Sequence, residues 1–209
     1  MKIAVIGANG KSGSAIVKEA VERGIEVTAV MRRKHSTPAQ HVLIKDLLDL
    51  TTSDLADYDA VIDCFGTWSK ETIPFHKTSL QKLSDLLSNT KTRLFVVGAV
   101  SSLYTDSEHK HQFREDSAFP KEIHYLAQVV WESLVDLQKR DDVLWTYVSP
   151  AINFQADGKK TGQYIIAGNE LQFNDNGESY ISYADYAVAI IDEIMTPKHV
   201  KEWISVYHA

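Results

Sequence analysis

A single cysteine, Cys64, stands in the 209 residues of this chain. One thiol excludes a disulfide framework and fits a reducing compartment. No apolar run is long enough to span a bilayer, and the N-terminal run lacks the layout of a signal peptide, so a cytoplasmic protein with no membrane partner is expected. Excess basic charge is also missing. Lys and Arg number 22 against 28 Asp and Glu, a net charge of −6, which argues against a nucleic-acid surface. Metal-ligand spacing is absent too: His109 and His111 flank Lys110 in a polar stretch with no cysteine or grouped carboxylate beside them, so no metal site is expected. Internal repeats and low-complexity linkers are lacking. The length suits one α/β domain with a sizeable core, spanning residues 1–209.

What the chain does have begins at its N-terminus, in KIAVIGANGKSGSAIV. Gly10-Lys11-Ser12 resembles the end of a phosphate-binding P-loop, but that loop needs an earlier glycine where Val5 stands. Val5 lies inside the apolar run Ile3-Ala4-Val5-Ile6, which reads as a buried strand, so no loop begins there. The other reading is a dinucleotide turn, in which a strand, a tight glycine turn and a helix N-terminus meet the pyrophosphate. Gly7 and Gly10 permit the turn and close backbone approach, and Gly13 lets the helix pack on the strand. Ala15, Ile16, Ala20 and Val21 then recur at helical spacing, with Arg23-Gly24 as a stop. The expected cofactor turn is therefore Gly7, Asn9, Gly10, Lys11, Ser12 and Gly13.

The second strand, Glu26 to Met31, ends where a ribose reader belongs, about 20 residues past the glycines. An acid there favours NAD and an arginine accommodates the 2′-phosphate of NADP. Arg32 and Arg33 occupy the position, followed by Lys34, so NADP(H) is preferred with NAD(H) as the second choice. Further strands are expected at Val42–Ile44, Ala60–Ile62, Leu94–Val97 and 143–148, with a helical turn over Leu55–Tyr58 and helices over 74–89, 122–140 and the last apolar stretch from Ser182. Residues 103–121 read as an irregular flap. Strands alternating with helices give a parallel, doubly wound sheet whose ligands bind beyond the strands' carboxyl ends. That rule gathers the glycine turn, Arg32, Asp46, Cys64, Phe65, Gly66, Ala99, Val100, Ser101, Ser102, Pro150 and Ala151 on one edge, and Leu47, next to Asp46, is counted with the cofactor residues.

These residues carry a resemblance. The Gly-Ala-Asn-Gly-Lys-Ser-Gly turn, Arg32-Arg33, Lys45-Asp46 and Val96-Val97-Gly98 running into Ser101-Ser102 are its first part. Trp145 to Pro150, Thr161 to Tyr164 and Ile181 to Ala187 complete it. Together they make the chain similar to the atypical short-chain dehydrogenase/reductases, nearest the NADH-flavin reductases related to biliverdin reductase B and the NmrA-like proteins. The resemblance covers essentially the whole chain. It implies a Rossmann-type fold with a small substrate-side segment near 151–180, NAD(P)H as hydride donor, and a flavin or similar small conjugated acceptor as substrate. It also places Asp46 near the adenine amine, with Phe65-Gly66 and Pro150-Ala151 along the ribose and nicotinamide.

The catalytic part departs from the wider superfamily, whose tyrosine stands four residues before a lysine that lowers its pKa. Tyr125 is followed at that spacing by Val129, and no lysine comes before Lys139 in that segment. Tyr125 is thus either a catalytic phenol or a helix-face aromatic, and Ser102, with Ser101, either offers a hydroxyl to the acceptor or caps a turn. Trp68, Phe75 and Trp131 either stack on a planar acceptor or pack the core. Two functions remain open: a reductase of flavins, quinones or a similar acceptor, and an NmrA-like sensor that holds NADP(H) without turnover.

Overall fold

The apolar run at the N-terminus becomes an inner strand of an eight-stranded sheet. A computed structural model describes residues 1–209. In chain order the elements are β1 (Lys2–Ile6), α1 (Lys11–Glu22), β2 (Glu26–Met31), β3 (His41–Ile44), α2 (Thr52–Leu55), β4 (Ala60–Asp63), α3 (Phe75–Leu86) and β5 (Arg93–Val97). There follow α4 (His124–Gln138), β6 (Leu144–Pro150), β7 (Asn153–Gln155), β8 (Ile165–Ala167), β9 (Tyr180–Ser182), α5 (Tyr183–Met195) and β10 (Glu202–Tyr207). The sheet runs β3-β2-β1-β4-β5-β6-β10-β8, parallel except for β8, which pairs antiparallel with β10 at the edge. This is the doubly wound α/β arrangement expected from the sequence.

Period-two alternation explains why the inner strands read as continuous apolar runs. Ile3 and Val5 of β1, Val27 and Ala29 of β2 and Ile62 of β4 face one layer, packed against Ile16, Val17 and Ala20 of α1 and Ile190 and Ile191 of α5. Ala4 and Ile6, Val30 and Val61 face the other, against Leu80 and Leu83 of α3 and Leu134 and Leu137 of α4. Each fully buried aliphatic side chain contributes roughly 1.5–3 kcal/mol, so both helix layers are fixed by burial more than by helix propensity.

Helix ends follow local chemistry. Gly24, at φ +72°, ends α1: its N–H donates to the Val21 carbonyl and that of Ile25 to Ala20, a left-handed cap that glycine adopts without strain. Ser182 caps α5 by accepting from the Asp185 N–H at 2.9 Å. The helical turn expected at Leu55–Tyr58 forms earlier, as α2, because the Asp54 carboxylate reaches back to the Thr51 N–H at 2.7 Å and starts it there.

Two further differences matter for the site. Strand β10 was not expected, and it extends the parallel sheet beyond β6. Residues 103–121 do not form one flap. Tyr104 exchanges backbone hydrogen bonds with Asn169 and Leu171, which pins the first half of the segment against the strand-β8 side. The region 151–180 supplies β7, paired with β9 beyond the end of β6, and the edge strand β8.

Candidate functional site

Strand order reverses between β1 and β4, the point at which open α/β sheets leave a crevice. A cavity of about 670 Å³ opens there. Gly10, Lys11 and Ser12 line one end, Cys64, Phe65 and Gly66 the turn after β4, Ala99 and Val100 the turn after β5, and Pro150 and Ala151 the end of β6. Ten of the residues expected from the sequence to hold a cofactor therefore meet around one space.

The glycine turn is built as the dinucleotide reading requires. Gly7 sits at φ +71°, and a β-carbon there would lie 2.8 Å from the Cys64 carbonyl oxygen. A β-carbon on Gly13 would lie 2.3 Å from the Gly7 carbonyl oxygen, so α1 can approach β1 this closely only without one. Gly10 is the N-cap of α1, with no side-chain cap and no acidic residue in the first turn. The helix therefore presents backbone N–H groups and the positive end of its dipole to the cavity, an arrangement that binds a phosphate. Lys11 adds an exposed cation at the same end. These residues fit the pyrophosphate of a dinucleotide.

Other expected residues lie outside the cavity. Arg32, Arg33, Asp46 and Leu47 follow β2 and β3, on the far side of β1 from the cavity. Arg32 and Arg33 are exposed. Asp46 caps a short 3-10 turn by accepting from the Leu48 N–H at 2.9 Å, and Leu47 is buried beneath it. Gly7, Asn9 and Gly13 shape the turn without lining the cavity. Cys64 is buried, and burial, with Asp63 beside it, pushes its thiol well up against the opposing effect of the Ser12 hydroxyl, so it is an inert wall.

The two catalytic candidates are not brought to the cavity. The face of α4 turned inward carries Leu126, Ala127 and Val130, with Ile123 just before it, at i, i+3, i+4, i+7 spacing. Tyr125 falls off that stripe and is 51% exposed. Ser101 lines the cavity and Ser102 does not, because successive side chains of the 3-10 turn over Val100–Ser102 point about 120° apart. The Ser102 hydroxyl is buried without a protein partner. Of the three aromatics considered, Trp68 lines the mouth at 74% exposure, Phe75 does not line it, and Trp131 packs against Tyr104 and Trp203.

Several lining residues escaped the sequence reading. His76 of α3 sits in the wall with its ring edge-on to Phe65, and burial lowers its pKa. Phe154 and Tyr183 stack at 3.8 Å between ring centroids in the wall formed by the substrate-side segment. Burial also raises the Tyr183 phenol. Tyr183 opens α5 directly after the Ser182 cap, so its helix-start signal masked a lining residue. Phe119 is the part of the 103–121 segment that reaches the cavity.

A parallel α/β sheet with a bare helix N-terminus at its switch point defines a Rossmann-type dinucleotide-binding protein. The family comparison agrees: residues 7–194 match the NAD(P)H-binding family, and the chain belongs to it. Among curated proteins it is similar to the uncharacterized protein YwnB of Bacillus subtilis, 41% identical over 209 residues, covering 99% of this chain and 98% of that one. Among solved structures it is similar to a candidate NADH-flavin reductase of Streptococcus pneumoniae, with 44% identity, a TM-score of 0.97 and full coverage of both chains. A candidate epimerase of Bacteroides thetaiotaomicron shares 31% identity at a TM-score of 0.86, over 99% of this chain and 96% of that one. This membership makes the chain a nicotinamide-dinucleotide-binding protein.

Proposed function

We propose that this protein is an NAD(P)H-dependent reductase that passes hydride to a flavin, a quinone or another small planar conjugated acceptor, and that it prefers NADP(H). One observation carries the reading: a single cavity joins a phosphate-binding helix end at Gly10–Ser12 to a wall of Phe119, Leu126, Phe154, Tyr183 and the exposed Trp68. Bound with its pyrophosphate on α1, the nicotinamide would supply hydride. The chain's own residues would orient the acceptor by ring stacking and keep water from the reacting atoms.

The preference for NADP(H) rests on Arg32 and Arg33, exposed at the end of β2 where the 2′-phosphate would lie. Asp46, beyond β3, is suited to the adenine amine. No helix is long and apolar enough to cross a membrane. That, with one buried free thiol, supports a cytoplasmic protein acting on small molecules. A dinucleotide sensor without turnover is the second reading, favoured by Tyr125 lying outside the cavity.

A screen of NADPH oxidation across flavins and quinones separates the two. Steady acceptor-dependent oxidation is expected; binding of NADPH with no oxidation across the whole screen would leave the sensor. Arg32→Ala should weaken NADPH binding by about 10- to 100-fold, the roughly 1.5–3 kcal/mol of a charged hydrogen bond, and leave NADH nearly unchanged. Equal losses for both cofactors would overturn the preference.

A further inference from the structure

Behind the cofactor cavity lies a second, much smaller one of about 30 Å³, room for one water molecule. It lies between the carboxyl ends of β4, β5 and β6 on the sheet side and α3 and α4 on the other. Asp63, Val96 and Tyr147 are register partners across those three strands, so the carboxyl and the phenol flank the chamber from neighbouring positions. Ser79 and Ser133 face them from the helices.

This lining is unusual for a hydrophobic layer. Asp63 is 5% exposed, has no cation beside it, and accepts one protein hydrogen bond, from the Phe65 N–H at 2.9 Å. Tyr147 is 1% exposed, and its hydroxyl makes no well-formed protein hydrogen bond; the Ser102 hydroxyl beside it is likewise unpartnered. Room for its ring exists only because residue 98 is glycine: a β-carbon there would lie 2.3 Å from a ring carbon. Packing alone would favour apolar groups at both positions, since buried polar groups are costly unless hydrogen-bonded. Phe65, His76, Val97 and Val130 belong to the walls of both cavities, and His76 alone among them titrates. Its Nε2 is held at the Thr67 backbone, 3.0 Å from the carbonyl oxygen.

We propose that Asp63, Tyr147 and His76, with water in this chamber, form a proton store that serves the acceptor in the main cavity, Asp63 and Tyr147 acting as positioning groups through His76. The inference rests on the reductase reading. Hydride brings the acceptor two electrons and one hydrogen nucleus, and full reduction needs one more proton. That proton leaves the Asp63 carboxyl, breaking its O–H bond, and passes by chamber water and the His76 imidazole to the acceptor. The Asp63 carboxylate recovers its proton from solvent, so no further oxidant or reductant is required.

The electrostatics agree with such a role. Burial pushes the Asp63 carboxyl up to about 6, against the opposing pull of the Phe65 N–H, so it holds a proton further towards neutral pH than an ordinary carboxyl. Burial lifts the Tyr147 phenol to about 12, against the opposing pull of the Ser102 hydroxyl and the Ala99 backbone, so it stays neutral. The titratable groups facing Asp63 are His76 from α3, Tyr147 from β6 and the neighbouring Cys64; α4 contributes only Val130 and Ser133.

The test joins carbon-13 NMR of the full chain without cofactor to acceptor turnover across pH. In wild type, a carboxyl resonance assigned by its loss in Asp63→Asn should titrate near pH 6, and the His76 ring shifts should report the same midpoint. Turnover should fall about tenfold per pH unit above that midpoint. Asp63→Asn, which keeps the shape and the Phe65 hydrogen bond, should flatten this limb and leave NADPH affinity unchanged. Tyr147→Phe, which keeps the ring and so should fold, should move the Asp63 midpoint. An Asp63 that titrates in the ordinary carboxylate range, a His76 blind to it, or an unaltered pH limb in an active Asp63→Asn enzyme each overturns the store. Absence of acceptor turnover in wild type, with normal NADPH binding, overturns the reductase reading and the delivery with it.

Discussion

Replacing Asp63 by asparagine should change how stability depends on pH, whatever the protein's reaction. Asp63 is buried in the sheet, and its carboxyl is lifted to about 6 by loss of hydration. A folded-state value above the unfolded one means that stability is present at low pH and is lost as pH rises through about 6. With an unfolded value near 3.9, the wild type should lose roughly 1.4 kcal/mol between pH 5 and pH 8 from this group alone. For a chain of this size that is a fall of about 3–6 °C in Tm. Asp63→Asn cannot ionise and keeps a carbonyl to accept from the Phe65 N–H, so its curve should lack this component. Other carboxylates titrate equally in both proteins and cancel in the difference. Melting both by circular dichroism at pH 5, 6, 7 and 8 measures it directly. Parallel curves would show that Asp63 is solvated or paired in solution and would refute the argument from burial.

Gly13→Ala should separate α1 from β1, since its β-carbon would meet the Gly7 carbonyl oxygen at 2.3 Å; loss of NADPH affinity by calorimetry, or failure to fold, is expected, and wild-type binding would contradict it. Asp185→Ala should destabilise by about 3 kcal/mol in urea, because the buried carboxylate accepts from the Thr161 N–H and hydroxyl, both at 2.8 Å, and from the Gly162 N–H at 2.7 Å. The same change should make residues 156–164 the earliest site of proteolytic cleavage, and a resistant segment would count against that tether. Tyr125→Phe should keep most of the turnover on a reducible flavin, because the side chain lies off the inward face of α4. A hundredfold fall, about 2.7 kcal/mol of barrier, would restore it as a proton donor.

The sequence by itself determined the layers of this protein and the cofactor end of its site. Apolar runs such as Ile3–Ile6 and Ala60–Ile62 can be buried on both faces only inside a parallel sheet, and alternation with helical spacing fixes which helices cover it. The Gly7–Gly13 turn was legible because it is local: strand, turn and helix are contiguous, and each glycine answers a contact within a few residues or with the adjoining strand. Strand β10 was missed although its pattern is strand-like, because its burial depends on β6 and β8, and β6 lies far back in the chain. Only the tertiary structure decided the rest of the site. Helix α4 turns Leu126 and Val130 inward and Tyr125 out, a rotation set by its packing on α3 and the sheet rather than by its own sequence. The chamber of Asp63, His76 and Tyr147 draws on β4, α3 and β6, and no spacing along the chain announces it. Distant residues share a chemistry once the sheet register brings them into one row, and register is a property of the assembled strands.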